Sequence, residues 1–528
     1  MHAPAPSPIA LGNLGNVAVT VDASASGHPI SPYIYGISAG NQQTLVALGA
    51  TVNRWGGNPS TRYNWVIGNA WNAARDWEFR NGNYNQSGSA ADQFVTTTLA
   101  AGAVPVLTIP SMGFVAKDTN NQSHSVGVPS QGGPPIAPGS SAIAGYDPAK
   151  NQKATSVQSL PRKPGPFVLA PPASSPVVYQ DEWVHKLVTT FGAAPQGVRY
   201  FTIDNEPDLW SYTDTDVHPV RMSYADMLAN YESYATAVKA QDPKALLLGP
   251  DVSGWTYYWY SDLDRGTDNF TTHADRTAHG GMPFLPWWLG QIAQADRQNG
   301  SRSLDLLDVH YYPQASKVFS ESKDPATQAL RIRSVHSLFD PNYVDESWIG
   351  TPVALIPTLK KWIAQQYPGT GIAITEYNWG GERDASGGVA LAEVLGVFGR
   401  EGVDLATYWT APPVNSPAGA AFRMYRNFDG KGGTFGDVSL PITSNQAGVA
   451  AFAAKHSDRP EVDVILVNEA PTEAANVHVN LKLKGNQTFT QFQFAGGSST
   501  IAQSSLSNLS QAVTLPPYSV TLIKAVQK

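Results

Sequence analysis

The sequence predicts an α/β protein, a (β/α)8 TIM barrel with an additional antiparallel β-sandwich domain. Eight short apolar runs rich in β-branched residues recur between longer helical stretches in the middle of the chain. After about residue 435 the runs become strands separated by Gly, Asn, Ser and Pro turns. Unbroken apolar strands are typical of parallel sheets buried on both faces. A chain of 528 residues also exceeds one small core, so two domains are expected.

The predicted barrel strands are 32–37, 51–55, 103–109, 198–204, 245–249, 304–310, 371–376 and 403–409. Helical patterns lie between several of them, at 182–191, 223–240 and 353–367. Eight strands that alternate with helices predict a closed parallel barrel. We expect this barrel to span residues 31–434.

Two predicted connections are unusually long. Residues 110–178 are crowded with Pro, Gly, Ser and Gln, and residues 255–290 are rich in Trp, Tyr and Asp. Loops of this length are uncommon and are often functional. We expect them to wall a cleft at the C-terminal face of the barrel, and the alternative is surface decoration.

The second domain is predicted from both chain ends. Four late segments, 462–467, 477–483, 488–494 and 518–523, have the pattern of antiparallel strands, which predicts a β-sandwich. Residues 17–22 alternate apolar and polar side chains, and a lone strand ahead of a barrel needs a partner. We therefore expect residues 1–30 and 435–528 to form this domain together.

Composition narrows the classes of ligand. Charged residues make up 15% of the chain, aromatic residues 10%, and the net charge is −7. Nucleic-acid binding would need a basic patch, so neutral polyhydroxylated ligands fit better. The absence of cysteine excludes disulfides and thiolate metal sites. No apolar run approaches the ~20 residues of a membrane span, so we expect no membrane partner.

Two glutamates end predicted strands on opposite sides of the ring. Glu206 lies in the segment Asp204-Asn205-Glu206-Pro207 after strand 4, and Glu376 lies at the end of strand 7. Polar residues at the C-terminal ends of barrel strands are active-site candidates. Two carboxyl groups facing each other are what glycoside hydrolysis needs, one as acid and the other as nucleophile or base. The sequence leaves their separation, and so retention or inversion, open.

Other strand ends supply candidates for substrate binding. Arg54 ends strand 2 and is expected to hold Glu376 ionised, with a structural ion pair as the alternative. Asn205 is expected to bind the sugar 2-hydroxyl, or else to cap its loop. After strand 6 come His310 and Tyr312, where a tyrosine could bond the nucleophile or pack in an aromatic corner. Further candidates, for which core packing is the alternative, are Trp55, Trp65, Trp210, Tyr377, Trp379 and Trp409.

Several other functions compete with hydrolysis by two carboxylates. A non-catalytic carbohydrate-binding barrel would keep the aromatic platforms but lose one carboxylate. An exo-acting β-glycosidase would need a closed pocket, which loop lengths cannot exclude. A metal-dependent barrel hydrolase usually carries His-x-His at the end of strand 1, and residues 31–40 contain no histidine. Residues 430–434 contain glycines, a lysine and a threonine, but their spacing does not match that of a phosphate-binding loop.

At these residues the chain resembles glycoside hydrolase family 44. The resemblance rests on the segments 53–58, 63–65, 204–210, 308–313, 375–382, 425–437 and the ending 516–518. It implies a retaining endo-acting enzyme on β-1,4-glucans, xyloglucan, glucomannan or xylan, with Glu206 as acid/base and Glu376 as nucleophile. It implies no cofactor for the chemistry.

The resemblance also bears on metals and location. Family members can carry a structural calcium ion, for which candidate carboxylates near the early loops are Asp76, Asp92, Asp181 and Glu182. A polymeric substrate favours a secreted protein whose signal peptide has been removed, because the first residues do not have the pattern of one. We expect a monomer whose partner is a β-1,4-linked polysaccharide.

Overall fold

The computed structural model describes residues 14–72, 80–82, 84–88, 90–120, 155–266, 269–483 and 485–528. Eight parallel strands close into a barrel, and each pairs with the next along the chain. They are β1 (Gly36–Ser38), β2 (Val52–Trp55), β3 (Val104–Ile109), β4 (Tyr200–Ile203), β5 (Leu246–Val252), β6 (Leu306–Tyr311), β7 (Gly371–Tyr377) and β8 (Leu405–Tyr408). The predicted (β/α)8 barrel is confirmed.

One main helix follows each strand. These helices are α1 (Gln42–Leu48), α2 (Ala91–Ala100), α3 (Gln180–Phe191), α4 (Tyr224–Gln241), α5 (Phe284–Asn299), α6 (Leu355–Gln366), α7 (Ala385–Glu401) and α8 (Pro417–Arg426). Local sequence sets their ends. Ser223 and Asp226 form a capping box at the start of α4, and Gly49 ends α1 in the left-handed conformation.

The barrel interior changes from apolar to polar along the strands. One cluster of buried side chains comprises Val52, Val106, Tyr200, Leu248, Leu306, Ala373 and Leu405. Side chains two residues apart lie on the same face of a strand. Two residues further on, six of these strands carry buried polar or charged side chains: Arg54, Thr108, Thr202, Asp308, Thr375 and Thr407. Polar chemistry is therefore concentrated towards the C-terminal mouth.

Most strand boundaries differ from the prediction by one or two residues, and two differ by more. Residues Pro32–Ile34 form a 3-10 turn, so β1 begins only at Gly36. The fifth strand continues to Val252 and shifts register between Pro250 and Val252, where Asp251 has φ 57°. A β-bulge of this kind redirects a side chain and is common beside active sites. This bulge adds a polar residue to the barrel mouth beyond the predicted strand end at residue 249.

Both chain ends contribute to two further sheets. A seven-stranded sheet contains, in order, His28–Pro29, Val438–Leu440, Val449–Lys455, Glu461–Asn468, Ser519–Gln527, Gln487–Ala495 and Ala502–Leu506. A four-stranded sheet contains Ile442–Ser444, Asn16–Val21, Ala475–Leu481 and Val513–Leu515. Strand Asn16–Val21 pairs in parallel with Ala475–Leu481, whereas the other described ladders of these two sheets are antiparallel. The sandwich architecture itself is confirmed.

The long connections carry structure of their own. Small sheets comprise Tyr63–Asn64, Asn69–Asn72 and Arg80–Gly82, and Phe114–Ala116, Ser156–Leu160 and Val177–Tyr179. Short helices comprise Tyr84–Ser87, Trp210–Thr213, Trp255–Trp259, Asp262–Arg265, Ala274–Ala278 and Pro325–Arg333, with 3-10 turns at Asn58–Arg62, Pro207–Leu209 and Ser334–Leu338. Among the described residues, no helix is both long and apolar enough to span a bilayer.

Candidate active site

Glu206 and Glu376 meet at the barrel mouth. One carboxylate oxygen of each lies within 4.8 Å of the other and of a ring nitrogen of His310. Glu206 follows β4 with φ 45°, in the left-handed region. Glu376 lies in β7 next to a register shift, and it pairs with His310 across the sheet. Irregular backbone on both strands therefore turns the two carboxyl groups towards each other.

Both oxygens of Glu376 accept hydrogen bonds. Arg54 Nη1 donates to Oε1 at 2.7 Å, and the Tyr312 hydroxyl donates to Oε2 at 2.7 Å. Hydrogen bonds between an arginine and a carboxyl group are among the stronger ones in proteins and fix its orientation. The Arg54 side chain is fully buried, so water screens its charge little. Both oxygens of Glu376 are thus fixed in position by Arg54 and Tyr312.

Glu206 has a different environment. Its side chain is 13% exposed, and Nδ1 of His310 lies 2.8 Å from its Oε1. Burial raises the pKa of Glu206, the bond and charge of His310 oppose that rise, and the charge of Glu376 adds to it. The net direction is upward, which favours a protonated carboxyl group that can act as an acid.

His310 connects Glu206 to Asp251. Its Nε2 lies 2.6 Å from Asp251 Oδ1, and Asp251 Oδ2 accepts a bond from Arg54 Nη2 at 3.1 Å. Burial lowers the pKa of His310, but the charges of Asp251 and Glu376 outweigh it and raise that pKa well above its ordinary value. The ring is therefore an imidazolium that donates from both nitrogens.

A layer of polar groups lies beneath this cluster. Thr375 Oγ1 lies 2.9 Å from Asp251 Oδ1 and 2.8 Å from Asp308 Oδ1. Burial raises the pKa of Asp308 well above its ordinary value, and the neighbouring charge of Asp251 adds to this. This direction favours the protonated form of Asp308.

Sequence reasoning missed Asp251 as a site residue. Asp251 lies two residues beyond the predicted end of strand 5. Had the strand been predicted to continue that far, Asp251 would have counted as a polar residue at a strand end and so as a site candidate. Its bulge and positive φ leave no pattern in the sequence.

The structure brings four of the predicted binding residues to the glutamates. Arg54, His310 and Tyr312 contact them directly, while Asn205 accepts a bond from Arg54 Nη2 at 2.7 Å. Trp409 is half-buried at the end of β8. A Cβ on Gly57 would lie 2.5 Å from the Trp409 ring, so a glycine there permits the close approach.

The substrate-binding prediction is corrected for four residues. Trp55, Trp210, Tyr377 and Trp379 are at most 5% exposed and belong to the main apolar core. Trp55 packs edge-on against Tyr63, with ring centroids 4.6 Å apart. Large rings at strand ends also fill the space between strands and helices, which accounts for their burial. Trp65, a further stacking candidate, is likewise buried at 5% exposure.

The candidate calcium ligands do not form a cation site among the described residues. The backbone N–H groups of Lys163 and Val168 donate to Asp181 and Glu182, and the Lys163 ammonium pairs with Glu182. Asp92 pairs with Lys186 at 2.6 Å. Asp76 lies outside the described residues. Glu206, His310 and Glu376 are also close enough to bind a metal, but both ring nitrogens of His310 already face carboxylate oxygens, of Glu206 at 2.8 Å and of Asp251 at 2.6 Å.

Known proteins resemble the chain over most of its length. Residues 70–315 match the sequence family described as glycoside hydrolase family 44. Endoglucanase A of Paenibacillus lautus is 32% identical over 96% of this chain and 72% of its own. The β-mannanase/endoglucanase A of Caldicellulosiruptor saccharolyticus is 30% identical over 88% of this chain and 35% of its own.

Solved structures also resemble this chain over nearly its whole length. CelM2, a bifunctional glucanase-xylanase from a metagenome library, has a TM-score of 0.86 and 34% identity, covering 97% of this chain and all of its own. A Paenibacillus polymyxa family 44 xyloglucanase, solved with xyloglucan, has a TM-score of 0.84 and 29% identity over the same shares. On the sequence match, the relative that is 32% identical over 72% of its own length, and the shared architecture, the chain belongs to glycoside hydrolase family 44.

Proposed function

We propose that this enzyme is a retaining, endo-acting glycoside hydrolase that cleaves β-1,4-linked plant cell-wall polysaccharides. The observation that carries the proposal is the approach of a Glu206 oxygen to within 4.8 Å of a Glu376 oxygen. Retaining enzymes have carboxyl groups about 5–5.5 Å apart, whereas inverting enzymes leave about 6.5–9.5 Å for a water molecule. The short separation favours double displacement.

The proposed reaction has two steps. Glu376 attacks the anomeric carbon while Glu206 gives its proton to the leaving glycosidic oxygen, and a glycosyl-enzyme ester forms. Glu206 then takes a proton from water, whose oxygen attacks the same carbon and releases Glu376 as a carboxylate. The raised pKa of Glu206 suits the first step, and the cation of His310 stabilises the carboxylate that results.

Neighbouring residues have proposed roles in positioning the sugar. Asn205 lies beside Arg54, where its amide can reach the 2-hydroxyl of a sugar bound at Glu376. Trp409 supplies a half-buried ring at the end of β8, against which the sugar before the scissile bond can stack. The chemistry requires no cofactor.

The substrate class rests on the relatives. Their names include endoglucanases, a glucanase-xylanase, a xyloglucanase and a β-mannanase/endoglucanase. We propose glucan and xyloglucan as the main substrates, with xylan and glucomannan as side activities. Action on an insoluble polymer implies a secreted enzyme. A single chain provides both glutamates, so a monomer suffices, with residues 31–434 as the catalytic domain and residues 1–30 and 435–528 as the sandwich domain.

The test is reducing-sugar release from carboxymethylcellulose, xyloglucan, glucomannan and xylan by wild type, Glu206→Gln and Glu376→Gln. We expect both variants to lose orders of magnitude, while a Glu346→Gln control, altered at an ion pair with Arg333, keeps full rate. Product sizes separate endo from exo action, and the anomer first formed, followed by NMR, tests retention. Near-full activity in either glutamate variant would refute the assignment.

A further inference from the structure

Trp409, the proposed platform for the sugar bound at Glu376, is held in place through its backbone. Its N–H donates to the carbonyl oxygen of Tyr377 at 3.1 Å, and its own carbonyl oxygen accepts a bond from the side-chain amide of Asn378. Both partners directly follow Glu376 in the chain. A tryptophan side chain has only two rotatable bonds, so the position of its backbone largely sets where its ring lies.

The side-chain amide of Asn378 has one orientation that suits all its neighbours. The backbone N–H of Gly380 and the hydroxyl of Tyr408 donate to its Oδ1, at 2.6 Å and 2.9 Å. A backbone N–H can only donate, so the atom that faces it is the amide oxygen. The amide nitrogen is left to donate to the carbonyl oxygen of Trp409 and to Glu382 Oε1 at 3.4 Å. The neighbours of Asn378 therefore direct its amide nitrogen towards Trp409.

The groups that orient Asn378 are themselves fixed. Asn378 is 5% exposed and Tyr408 is 2% exposed. Gly380 has φ 67°, and a Cβ there would lie 2.4 Å from the carbonyl oxygen of Val318, so this turn requires glycine. The Tyr408 hydroxyl also lies 3.1 Å from Glu382 Oε1. A buried polar network of this kind makes the groups within it rigid.

The outer edge of the Trp409 ring is confined as well. Gly57 has φ 89°, and a Cβ there would lie 2.5 Å from Cη2 of the ring. The N–H of Gly57 donates to Asn205 Oδ1 at 3.1 Å, which ties this loop to the barrel mouth. A tilt at the backbone of Trp409 would therefore press the ring edge on Gly57 or lift it away. Asn378 at one end and Gly57 at the other together limit the plane of the ring.

We propose that Asn378 is a positioning residue, whose amide fixes the carbonyl of Trp409 and so sets the plane of the ring against the sugar that becomes attached to Glu376. Such a group has to be held within ~0.5 Å and ~10–20° of its productive geometry. The sugar changes shape towards the transition state, so a misaligned ring lowers kcat more than it raises KM. This inference rests on the proposed function and assigns a role to a buried residue that acts through Trp409.

One test measures kcat and KM of wild type, Asn378→Ala and Asn378→Asp on cellohexaose. We expect Asn378→Ala to lower kcat about 10- to 100-fold, because a displacement of about 1 Å can cost about 100-fold. An ionised aspartate cannot donate to Trp409, whereas a protonated one can. The kcat of Asn378→Asp relative to wild type at the same pH should therefore rise as the pH falls. A ratio that stays equally low at acidic pH would contradict the proposal.

Asn468→Ala is the matched control. Asn468 is buried in the sandwich, where its Nδ2 donates to the carbonyl oxygens of Leu515 and Pro516 at 3.0 Å and 2.9 Å, and its Oδ1 accepts from the N–H of Ala470. Its loss removes a similar set of bonds far from the two glutamates, so kcat should stay within about twofold of wild type. Circular dichroism confirms that each variant is folded at the assay temperature. Equal losses of kcat in Asn468→Ala and Asn378→Ala would reduce Asn378 to a structural role.

A double-mutant cycle tests whether Asn378 acts through Trp409. Trp409→Ala removes the ring and should lower kcat at least as much as Asn378→Ala, and combining the two should add less than about twofold. Tyr408→Phe, which removes the hydroxyl bonded to Asn378, should give a smaller loss in the same direction. Losses that multiply in the double variant, or full activity of Trp409→Ala, would overturn the proposal.

The outcomes separate this inference from the proposed function. An unaffected Asn378→Ala, together with inactive Glu206→Gln and Glu376→Gln, overturns the positioning role and leaves the proposed function in place. Full activity of either glutamate variant overturns the proposed function instead.

Discussion

Asp251 and His310 form a buried ion pair, with 2.6 Å between Oδ1 and Nε2, directly behind the candidate acid Glu206. Both side chains are fully buried, and the other ring nitrogen of His310 bonds Glu206. The charge on Asp251 therefore acts on Glu206 through an imidazolium. The carboxyl group of Glu206 is thus linked to Asp251 through His310, without a direct contact between the two carboxyl groups.

We expect Asp251→Asn to slow the enzyme at least about tenfold and to move the alkaline limb of its pH–rate profile. Loss of the anion lets His310 become neutral, and the imidazolium no longer lowers the pKa of Glu206, so that limb should shift to higher pH. Removing one partner of a buried ion pair also costs about 3–5 kcal/mol of stability, so urea unfolding is measured alongside. A slower enzyme with an unshifted profile would indicate a structural role only.

The pH dependence of catalysis should report Glu206 itself. Its pKa is raised by burial, and the acid must be protonated to act, so kcat/KM on a polysaccharide should fall as pH rises through that raised value. An activated aryl glycoside needs no proton on its leaving group. With that substrate the alkaline limb should disappear in Glu206→Gln, and its persistence would assign the limb to another group.

Tyr312→Phe should reduce kcat about 10- to 100-fold. The hydroxyl donates to Glu376 at 2.7 Å, and hydrogen bonds to charged groups contribute about 1.5–3 kcal/mol. Tyr377→Phe is the matched control, because the Tyr377 hydroxyl is buried without a hydrogen-bond partner among the described residues. In steady-state kinetics, kcat of Tyr377→Phe should therefore stay near wild type while kcat of Tyr312→Phe falls. Equal losses would mean that the Tyr312 hydroxyl has no specific role.

Asp208→Asn should flatten the dependence of stability on pH. Burial, with the charge of Glu206, raises the pKa of Asp208 to about 8 from its ordinary 3.8. The folded protein thus keeps a proton that the unfolded chain releases, and stability falls by up to ~1.4 kcal/mol per pH unit as pH rises from about 4 to 8. Asparagine does not titrate, so this loss of stability with rising pH should disappear. Its side-chain oxygen can still accept a hydrogen bond from the Ser253 backbone N–H.

Urea unfolding at pH 5 and pH 8 checks this expectation. The Asp208→Asn protein should gain stability over wild type at pH 8 and differ little at pH 5. Asp458→Asn, at a side chain that is 72% exposed, should follow wild type at both values. Identical pH dependence in wild type and Asp208→Asn would show that Asp208 is not buried as a neutral acid.

Local pattern alone predicted much of the barrel and of its mouth. Apolar runs marked all eight strands, and polar residues at their ends pointed to Arg54, Glu206, His310, Tyr312 and Glu376, which the structure brings together. Four of the aromatic candidates, Trp55, Trp210, Tyr377 and Trp379, proved to be core residues, because exposure cannot be read from residue type. Trp379 is 1% exposed and Trp348 is 64% exposed, although each follows a barrel strand.

The sequence by itself determined the repeating strand–helix order, the ends at which polar side chains collect and the pair of glutamates on β4 and β7. Periodicity and composition are properties of short stretches of residues, so a single sequence is enough to reveal them. Only the tertiary structure decided the bulge that turns Asp251 inward and the approach of Glu206 to Glu376. These features depend on contacts between residues far apart in the chain, and such contacts exist only once the barrel has closed.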